Sequence, residues 1–279
     1  MRYSAAEAES YAPDCVIDSS GALWVTWSAR SGKSYDVFVQ CLREGKDPVA
    51  EQLTRSDDDA MAPKIAAGPG GAVMVTYYKW AMMRGVSRDR NIFARRYDPA
   101  RRAWEPELEI SPRQPEVEDH ADPDVVIGRD GTNLVVWSFD YHPQLYKPPL
   151  EAGQPTIFAA RVAGNTVSPP ILVGASRPYR NAIDLFPSAA LDTQGTLWCA
   201  WDCSEPRRCI RLAHLDATNN TFKAVASFGA QGEMCSTPEL SPAADERLQL
   251  TWSQRRRGEP WRGNLWTTCW GYRSRRISH

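Results

Sequence analysis

The sequence predicts an all-β protein, a five-bladed β-propeller of four-stranded antiparallel blades, and three observations support this fold class. A proline followed fourteen residues later by an aromatic residue occurs five times. In four of these repeats a glycine lies eight residues after the proline. The prolines are 50, 60, 64 and 51 residues apart, close to the length of a propeller blade. The pairs are Pro13/Trp27, Pro63/Tyr77, Pro123/Trp137, Pro187/Trp201 and Pro238/Trp252, and the glycines are Gly21, Gly71, Gly131 and Gly195.

Each repeat divides into short strands separated by turn residues. Runs of β-branched and aromatic residues bounded by Gly, Pro, Asp and Ser are typical of β-hairpins. We expect three inner strands per repeat: 13–18, 22–27 and 35–42; 63–67, 73–77 and 91–97; 124–127, 134–137 and 156–161; 189–192, 197–201 and 209–214; 239–241, 248–252 and 264–270. A fourth, outer strand is expected at 49–53, 108–111, 171–173 and 223–227. Four antiparallel strands repeated radially make a propeller.

Outside these strands, the sequence predicts no further regular secondary structure. No segment has a helical period, and residues 4–10 are too few for an isolated helix. We expect residues 1–279 to form a single domain, with blades starting near 13, 63, 123, 187 and 238. Ring closure has two candidate segments for the last outer strand, residues 2–5 and residues 271–278.

Composition and motifs exclude several functional classes. The formal net charge is −1, which argues against nucleic acid and membrane partners. No apolar run is long enough to span a membrane, and no signal-peptide core is present, which favours a cytoplasmic protein slightly over a secreted one without its leader. No phosphate-binding loop, dinucleotide fingerprint or G-x-S-x-G elbow occurs. We expect a monomer without a cofactor.

The seven cysteines are an odd number, which argues against a complete disulfide framework. Cys199, Cys203 and Cys209 are close in sequence, but their spacing matches no standard zinc pattern. We expect buried thiols, no metal and no obligatory disulfide. A bond between Cys203 and Cys209 is conceivable, because both flank one hairpin turn.

The repeats resemble those of the sialidase-like and Tol-protein-like propellers. Blades of these families often read Pro-x-apolar-x-x-Asp-x-x-Gly-x-Leu-Trp-Val-x-Trp, as from Pro13 to Trp27, where Tyr-Asp-Val-Phe38 follows, and from Pro187 to Trp201. The resemblance covers nearly the whole chain and implies a propeller fold. The Phe-Arg-Ile-Pro segment of catalytic sialidases is absent, and the turn ending at Gly21 has one residue more than an Asp-box.

Loop lengths indicate where a binding site would lie. Turns between the first and second strands are tight, whereas the loops at the other end of the strands are long and varied. Long loops on a rigid scaffold often carry binding residues. Aromatic rings stack on sugars or peptide side chains, and arginines bind carboxylate or phosphate. Candidate ligand-binding residues are Lys64, Trp80, Arg84, Tyr141, His142, Tyr146, Arg180, Arg256 and Trp261.

Carboxylates flank several of the repeat prolines. Asp14, Asp124 and Glu239 follow a proline, and Asp122 precedes one. The five-bladed arabinanase- and invertase-type glycosidases, which this pattern resembles in part, hold three carboxylates on such inner strands. That resemblance implies a glycoside hydrolase with these four residues as catalytic candidates. The alternative is a ring of solvated or ion-paired side chains that includes Lys64.

Two functions therefore remain open. The first is a ligand- or partner-binding propeller that recognises glycan or peptide on its long-loop face. The second is a glycoside-acting enzyme with carboxylates at the mouth of the central channel. His120, within Glu-Asp-His-Ala-Asp122, could belong to a cation site or to a plain acidic loop.

Overall fold

The chain folds into five antiparallel sheets, one for each sequence repeat, which confirms the predicted five-bladed β-propeller. The computed structural model describes residues 9–44, 49–83, 87–111, 119–139, 156–175, 184–203, 208–229, 232–243, 247–256 and 265–270. Both candidate closing segments, 2–5 and 271–278, lie outside these residues. Within them, no helix has the length and hydrophobicity needed to span a membrane.

The chain divides into two compact units. The first contains Met1–Val135 and Ala160–Ser168, and the second contains Val136–Ala159 and Pro169–His279. The boundary passes through the third sheet. Whether the chain is one domain, as predicted, stays a prediction.

The first two sheets belong to the first unit. The first has the strand order β1-β2-β3-β4, and the second has β5-β6-β7-β8, with β9 also paired to β7. Their strands are β1 Ser10–Ile17, β2 Leu23–Ser31, β3 Ser34–Leu42, β4 Ala50–Gln52, β5 Asp59–Ala67, β6 Val73–Met83, β7 Ser87–Asp98, β8 Ala103–Trp104 and β9 Leu108–Glu109.

The third sheet has the order β10-β11-β12-β13, with β14 also paired to β12. Its strands are β10 His120–Ile127, β11 Asn133–Phe139, β12 Thr156–Ala163, β13 Thr166–Val167 and β14 Ile171–Ala175. The short strands β8 and β13 were not expected from the sequence. In each case two short strands, rather than one, pair with the outer edge of the third strand of the repeat.

The last two sheets belong to the second unit. The fourth has the order β15-β16-β17-β18, and the described residues of the fifth have the order β19-β20-β21. Their strands are β15 Asp184–Leu191, β16 Leu197–Cys203, β17 Cys209–Asp216, β18 Thr221–Phe228, β19 Glu233–Pro242, β20 Leu248–Arg256 and β21 Leu265–Trp270.

Every repeat proline follows a residue with a left-handed backbone. The φ angles of these preceding residues lie between 48° and 51°. In four repeats the strand register shifts at this point. Proline has no N–H for a sheet ladder and is therefore placed at bulges. The preceding residues are Ala12, Ala62, Asp122, Phe186 and Thr237.

The repeat glycines close the tight turns after the first strand of each sheet. Gly21, Gly71, Gly131 and Gly195 have φ angles between 80° and 82°, which glycine adopts without steric cost. In the first and fourth repeats an aspartate also caps the turn. Asp18 accepts a hydrogen bond from Trp24 Nε1 at 2.9 Å, and Asp192 accepts one from Trp198 Nε1 at 3.0 Å.

The aromatic residue fourteen positions after each repeat proline is buried in the core. The exposed fractions of these five side chains are between 0% and 6%. Tyr77 also donates a hydrogen bond to Glu107 at 2.6 Å, and Trp252 donates one to Gln254 at 2.9 Å. The repeat aromatics therefore belong to the buried cores of the sheets.

Candidate functional site

The residue after the repeat proline links neighbouring sheets in two places. In the first unit, Asp14 Oδ2 accepts a hydrogen bond from the backbone N–H of Ile65 at 2.9 Å. In the second unit, Ser188 Oγ accepts one from the backbone N–H of Leu240 at 3.0 Å. Ile65 and Leu240 occupy the same position, two residues after their own proline. Asp14 therefore has the same structural role in the first repeat as Ser188 has in the fourth: its side-chain oxygen accepts a hydrogen bond from the backbone of the next sheet.

The other residues that follow a proline differ in environment. Asp124 is half-buried, and its Oδ1 accepts a hydrogen bond from the backbone N–H of Val125 at 2.8 Å. Lys64 is half-buried, whereas Glu239, in the second unit, is exposed. The catalytic assignments of Asp14, Asp124, Glu239 and Asp122 stay predictions.

A cluster of polar and aromatic side chains lies in the first unit at the strand ends away from the tight turns. It combines the beginnings of β1, β3, β5 and β7 with the end of β6 and the segment leading into β10. We call it the strand-end cluster. Its members are Glu9, Tyr11, Tyr35, Asp59, Tyr78, Arg90, Asp119 and Asp122.

Tyr11 and Tyr35 form the first half of the strand-end cluster. Their ring centroids are 5.0 Å apart in an edge-to-face arrangement. The Tyr35 hydroxyl donates a hydrogen bond to Glu9 Oε2 at 2.5 Å, and its backbone N–H donates one to Asp59 Oδ1 at 2.8 Å. The Tyr11 hydroxyl is buried, and among the described residues it has no hydrogen-bond partner.

Tyr78 and Arg90 form the second half of the strand-end cluster. The Arg90 guanidinium lies over the Tyr78 ring, 5.5 Å from its centroid. Nε and Nη2 of Arg90 donate to the two carboxylate oxygens of Asp119. This bidentate pair fixes the guanidinium plane. Burial acts to lower the pKa of Arg90, but the hydrogen bonds to Asp119 and the nearby negative charges, Asp122 among them, outweigh it and raise the pKa. Asp122 also acts to raise the pKa of Tyr78.

The two halves of the strand-end cluster interact electrostatically, because Tyr78 of the second half contributes to the pKa of Tyr11 in the first. Burial is the main reason why the pKa of Tyr11 is raised, and Tyr35, Tyr78, Asp59 and Glu9 raise it further. Burial is also the main reason why the pKa of Tyr78 is raised. Both hydroxyls therefore remain protonated at neutral pH and act as hydrogen-bond donors.

The structure brings together only part of the predicted site. Asp122 belongs to the strand-end cluster, and Trp80 is the register partner of both Asp59 and Arg90. Arg256 is exposed at the end of β20 in the second unit. Six predicted residues lie outside the described part of the chain: Arg84, Tyr141, His142, Tyr146, Arg180 and Trp261.

Sequence reasoning did not select Tyr11, Tyr35, Asp59 or Tyr78. These residues are separated along the chain and meet only through pairing of strands and packing of neighbouring sheets. The sequence could have indicated Tyr78, because it directly follows Tyr77, the buried aromatic residue of its repeat. Successive side chains of a strand point to opposite faces, so Tyr78 lies on the other face from Tyr77. His120 is buried, and no cluster of metal-ligating residues occurs in the described part of the chain.

A cleft of about 490 Å³ lies at the opposite ends of the strands of the first unit. It is formed by the tight turns of the first two repeats together with the ends of β3 and β7. The sequence placed candidate binding residues only at the long-loop end, so this cleft was not anticipated.

Comparison with solved structures shows that this fold is shared. The chain is similar to a protein of unknown function from Dyadobacter fermentans, with a TM-score of 0.69 and 12% identity over 96% of this chain and 80% of that one. It is similar to an α-L-arabinanase of Penicillium chrysogenum complexed with arabinobiose, with a TM-score of 0.57 and 9% identity over 93% of this chain and 80% of that one.

A third similar structure is the sialidase of Trypanosoma rangeli, with a TM-score of 0.58 and 11% identity. The alignment covers 94% of this chain but 46% of the sialidase. At these identities the likeness concerns the fold alone. No protein-family model and no curated protein sequence matches the chain. Similar structures therefore support a propeller fold shared with glycan-acting enzymes, without indicating a particular family.

Proposed function

We propose that this protein is a carbohydrate-binding propeller that holds a glycan at the strand-end cluster. One observation carries this proposal: three tyrosines and a fixed arginine–carboxylate pair lie together at the long-loop end of the first unit. Aromatic rings offer faces for sugar rings, and carboxylates and guanidinium groups hydrogen-bond to sugar hydroxyls.

The Tyr11 hydroxyl supports this proposal. A buried hydroxyl without a partner among the described residues costs about 1–3 kcal/mol. A side-chain movement that admitted a ligand hydroxyl or an ordered water would remove that cost. Tyr35 and Arg90 already have protein partners, which hold their side chains in fixed orientations before a ligand arrives. Preorganised groups bind more tightly because less conformational freedom is lost.

The similar structures support a carbohydrate rather than a peptide. One of them is an arabinanase with bound arabinobiose, and another is a sialidase. Fold likeness alone carries little functional weight. It agrees here with the side-chain content of the strand-end cluster.

A glycan array followed by calorimetry with the best oligosaccharide tests the proposal. Tyr11→Phe and Tyr78→Ala should each weaken binding about tenfold or more, as central aromatic residues of binding sites usually do. The matched control is Phe222→Ala, which removes a half-buried ring from β18 in the second unit. Binding that is lost equally in the control, or no glycan binding by the wild type, would count against the proposal.

A glycoside-acting enzyme is the second candidate, and Asp122 is the observation that favours it. It places a carboxylate in the strand-end cluster, near the Tyr78 hydroxyl. Glycoside hydrolysis needs one protonated carboxyl group and one ionised carboxylate. In the strand-end cluster, Asp119 is held in the bidentate pair with Arg90, and Glu9, Asp59 and Asp122 are three further carboxylates.

Turnover of a panel of aryl glycosides tests this second candidate. If the protein is an enzyme, Asp122→Asn should lower kcat by about 10²- to 10⁴-fold without a loss of stability. Asp124→Asn and Glu239→Gln test the other candidates in the same assay. If no glycoside is turned over and glycan binding is intact, the enzyme hypothesis is rejected and the binding hypothesis is retained.

A further inference from the structure

The cleft at the tight-turn end of the first unit has the dimensions of a ligand site. Its volume is about 490 Å³, within the range of small-molecule pockets in proteins. It lies at the ends of the strands opposite to the strand-end cluster, so it cannot be part of the site proposed above. The side chains that matter for its chemistry are Trp24, Arg43, Glu51, Tyr97 and Arg102.

Two arginines line this cleft. Arg43 and Arg102 both line the cleft and are exposed. Both lie near the Tyr97 hydroxyl, because each acts to lower the pKa of Tyr97 against the larger effect of burial, which raises it. Within the described part of the chain, neither arginine forms an ion pair. Neighbouring Arg101 does form one, with Asp98 at 3.5 Å.

The cleft also contains two carboxylates, Asp18 and Glu51, so the charges of its lining side chains cancel. Asp18 is buried, and its oxygens accept hydrogen bonds from Ser20, Ala22 and Trp24. Burial would raise the pKa of Asp18, but these hydrogen bonds outweigh it and lower the pKa, so Asp18 is ionised at neutral pH while its oxygens are occupied by groups of its own repeat. Glu51 is the other carboxylate that lines the cleft, and it is exposed.

An aromatic wall completes the cleft. The ring centroids of Trp24 and Tyr97 are 5.0 Å apart, and Trp104 packs against both rings at 6.1 and 5.4 Å. Trp24 is buried, whereas Tyr97 is half-buried and faces the cleft. A flat ligand ring can therefore pack on Tyr97 while the arginines hold an acidic substituent.

We propose that this cleft binds a hexuronic acid unit, a six-membered sugar ring that carries a carboxylate. The guanidinium groups of Arg43 and Arg102 bind the carboxylate. Glu51 and the Tyr97 hydroxyl bind ring hydroxyls, and the sugar ring packs against Tyr97. This second site does not depend on the proposed function of the strand-end cluster.

The test measures binding of glucuronate and galacturonate oligosaccharides to the full chain by calorimetry. Arg43→Gln and Arg102→Asn should each weaken binding about tenfold or more, because each removes a charge-assisted hydrogen bond. Asparagine is chosen at position 102 because its φ is 52°, which asparagine tolerates. Arg101→Gln is the matched control and should bind as the wild type does. Rising ionic strength should weaken binding.

An independent readout places the ligand. Trp24 and Trp198 make equivalent indole hydrogen bonds in the first and fourth repeats. Titration with a hexuronate should shift the indole N–H resonance of Trp24 and leave that of Trp198 unchanged. This measurement does not require any variant to fold.

Several outcomes would overturn this proposal. The first is no binding of any hexuronate. Equal binding of the neutral hexose oligosaccharides, or of acetate and inorganic phosphate, would show that the cleft does not select a sugar carboxylate. Loss of hexuronate binding in Tyr78→Ala but not in the arginine variants would place the ligand at the strand-end cluster. That result would support the proposed function and refute this second site.

Discussion

Asp14 accepts a hydrogen bond from the backbone N–H of Ile65, 51 residues further along the chain, at 2.9 Å. The contact joins the innermost strands of the first and second sheets. Ser188 makes the equivalent contact with Leu240 at 3.0 Å. A carboxylate and a hydroxyl thus make the same contact in the first and fourth repeats, so this contact needs an acceptor oxygen but no negative charge.

This relationship predicts how substitutions of Asp14 behave. Asp14→Ala should destabilise the fold by about 1–3 kcal/mol, because Ile65 is buried and its N–H would be left unsatisfied. Asp14→Asn retains an acceptor oxygen and should cost much less. Chemical denaturation of the three proteins measures the difference. Equal destabilisation by alanine and asparagine would show that the charge, not the hydrogen bond, is what matters.

The repeat glycines predict a contrast between two kinds of substitution. Gly21→Ala should cost about 1–2 kcal/mol through backbone strain alone, because φ is 82° and nothing lies within 4 Å of an added Cβ. Gly68→Ala should be destabilising for another reason: φ is −126°, but its Cβ would overlap the side chain of Ile127.

A second substitution separates these causes. Ile127→Ala should recover part of the loss caused by Gly68→Ala and none of that caused by Gly21→Ala. Thermal or denaturant unfolding of the double variants gives the coupling energy. Rescue of Gly21→Ala by Ile127→Ala would contradict the assignment of its cost to backbone strain.

Asp18 predicts an acid dependence of stability. Burial acts to raise its pKa, but hydrogen bonds from Ser20, Trp24 and Ala22 outweigh this effect, so the pKa in the folded state lies below 3.8. The unfolded state therefore binds the proton more readily. The stability from Asp18 is fully present above about pH 4–5 and is lost as pH falls through the folded pKa.

The variant Asp18→Asn removes this titration. Its free energy of unfolding should be lower than that of the wild type at pH 7, and the gap should narrow towards pH 3. Urea denaturation at several pH values measures both curves. Parallel curves for the two proteins would show that Asp18 does not contribute to the acid dependence.

Much of the fold could be predicted because the residues of the repeat are ones that particular backbone conformations and core positions require. Pro63 is placed at a bulge, Gly71 is required by a left-handed turn, and Tyr77 fills the core. All three depend on residues close in sequence. The split outer edge at β8 and β9 was not predictable in this way, because two-residue strands carry no pattern.

The candidate site was harder to predict for a physical reason. Tyr35 meets Asp59, and Arg90 meets Asp119, only after neighbouring sheets have packed. The place of Asp14 beside a proline predicts a catalytic candidate but does not reveal its hydrogen bond to a backbone N–H, because both kinds of carboxylate have the same sequence signature. Its catalytic assignment stays a prediction. Comparison with Ser188 at the equivalent position was the available signal.

The cysteines give a last prediction, on thiol reactivity. Cys15 is exposed and Cys41 is half-buried, whereas Cys199, Cys203 and Cys235 are buried. Burial, followed by nearby negative charge, raises the pKa of Cys235 to about 12. At pH 8 this thiol stays protonated and inaccessible, so maleimide should label Cys15 and Cys41 first.

Mass spectrometry of peptides after brief labelling identifies the reactive cysteines, and labelling after denaturation counts the free thiols. Cys203 and Cys209, also buried, are directly opposite each other on β16 and β17. Neither forms a disulfide in this structure, so we expect all seven cysteines of the sequence to be labelled in the denatured protein. A count of five would mean one disulfide, and Cys203–Cys209 would be the first pair to examine because register partners bring two Cβ atoms close together.

Rapid labelling of Cys235 in the native protein would instead show that the fourth and fifth sheets open far more readily than their buried residues imply.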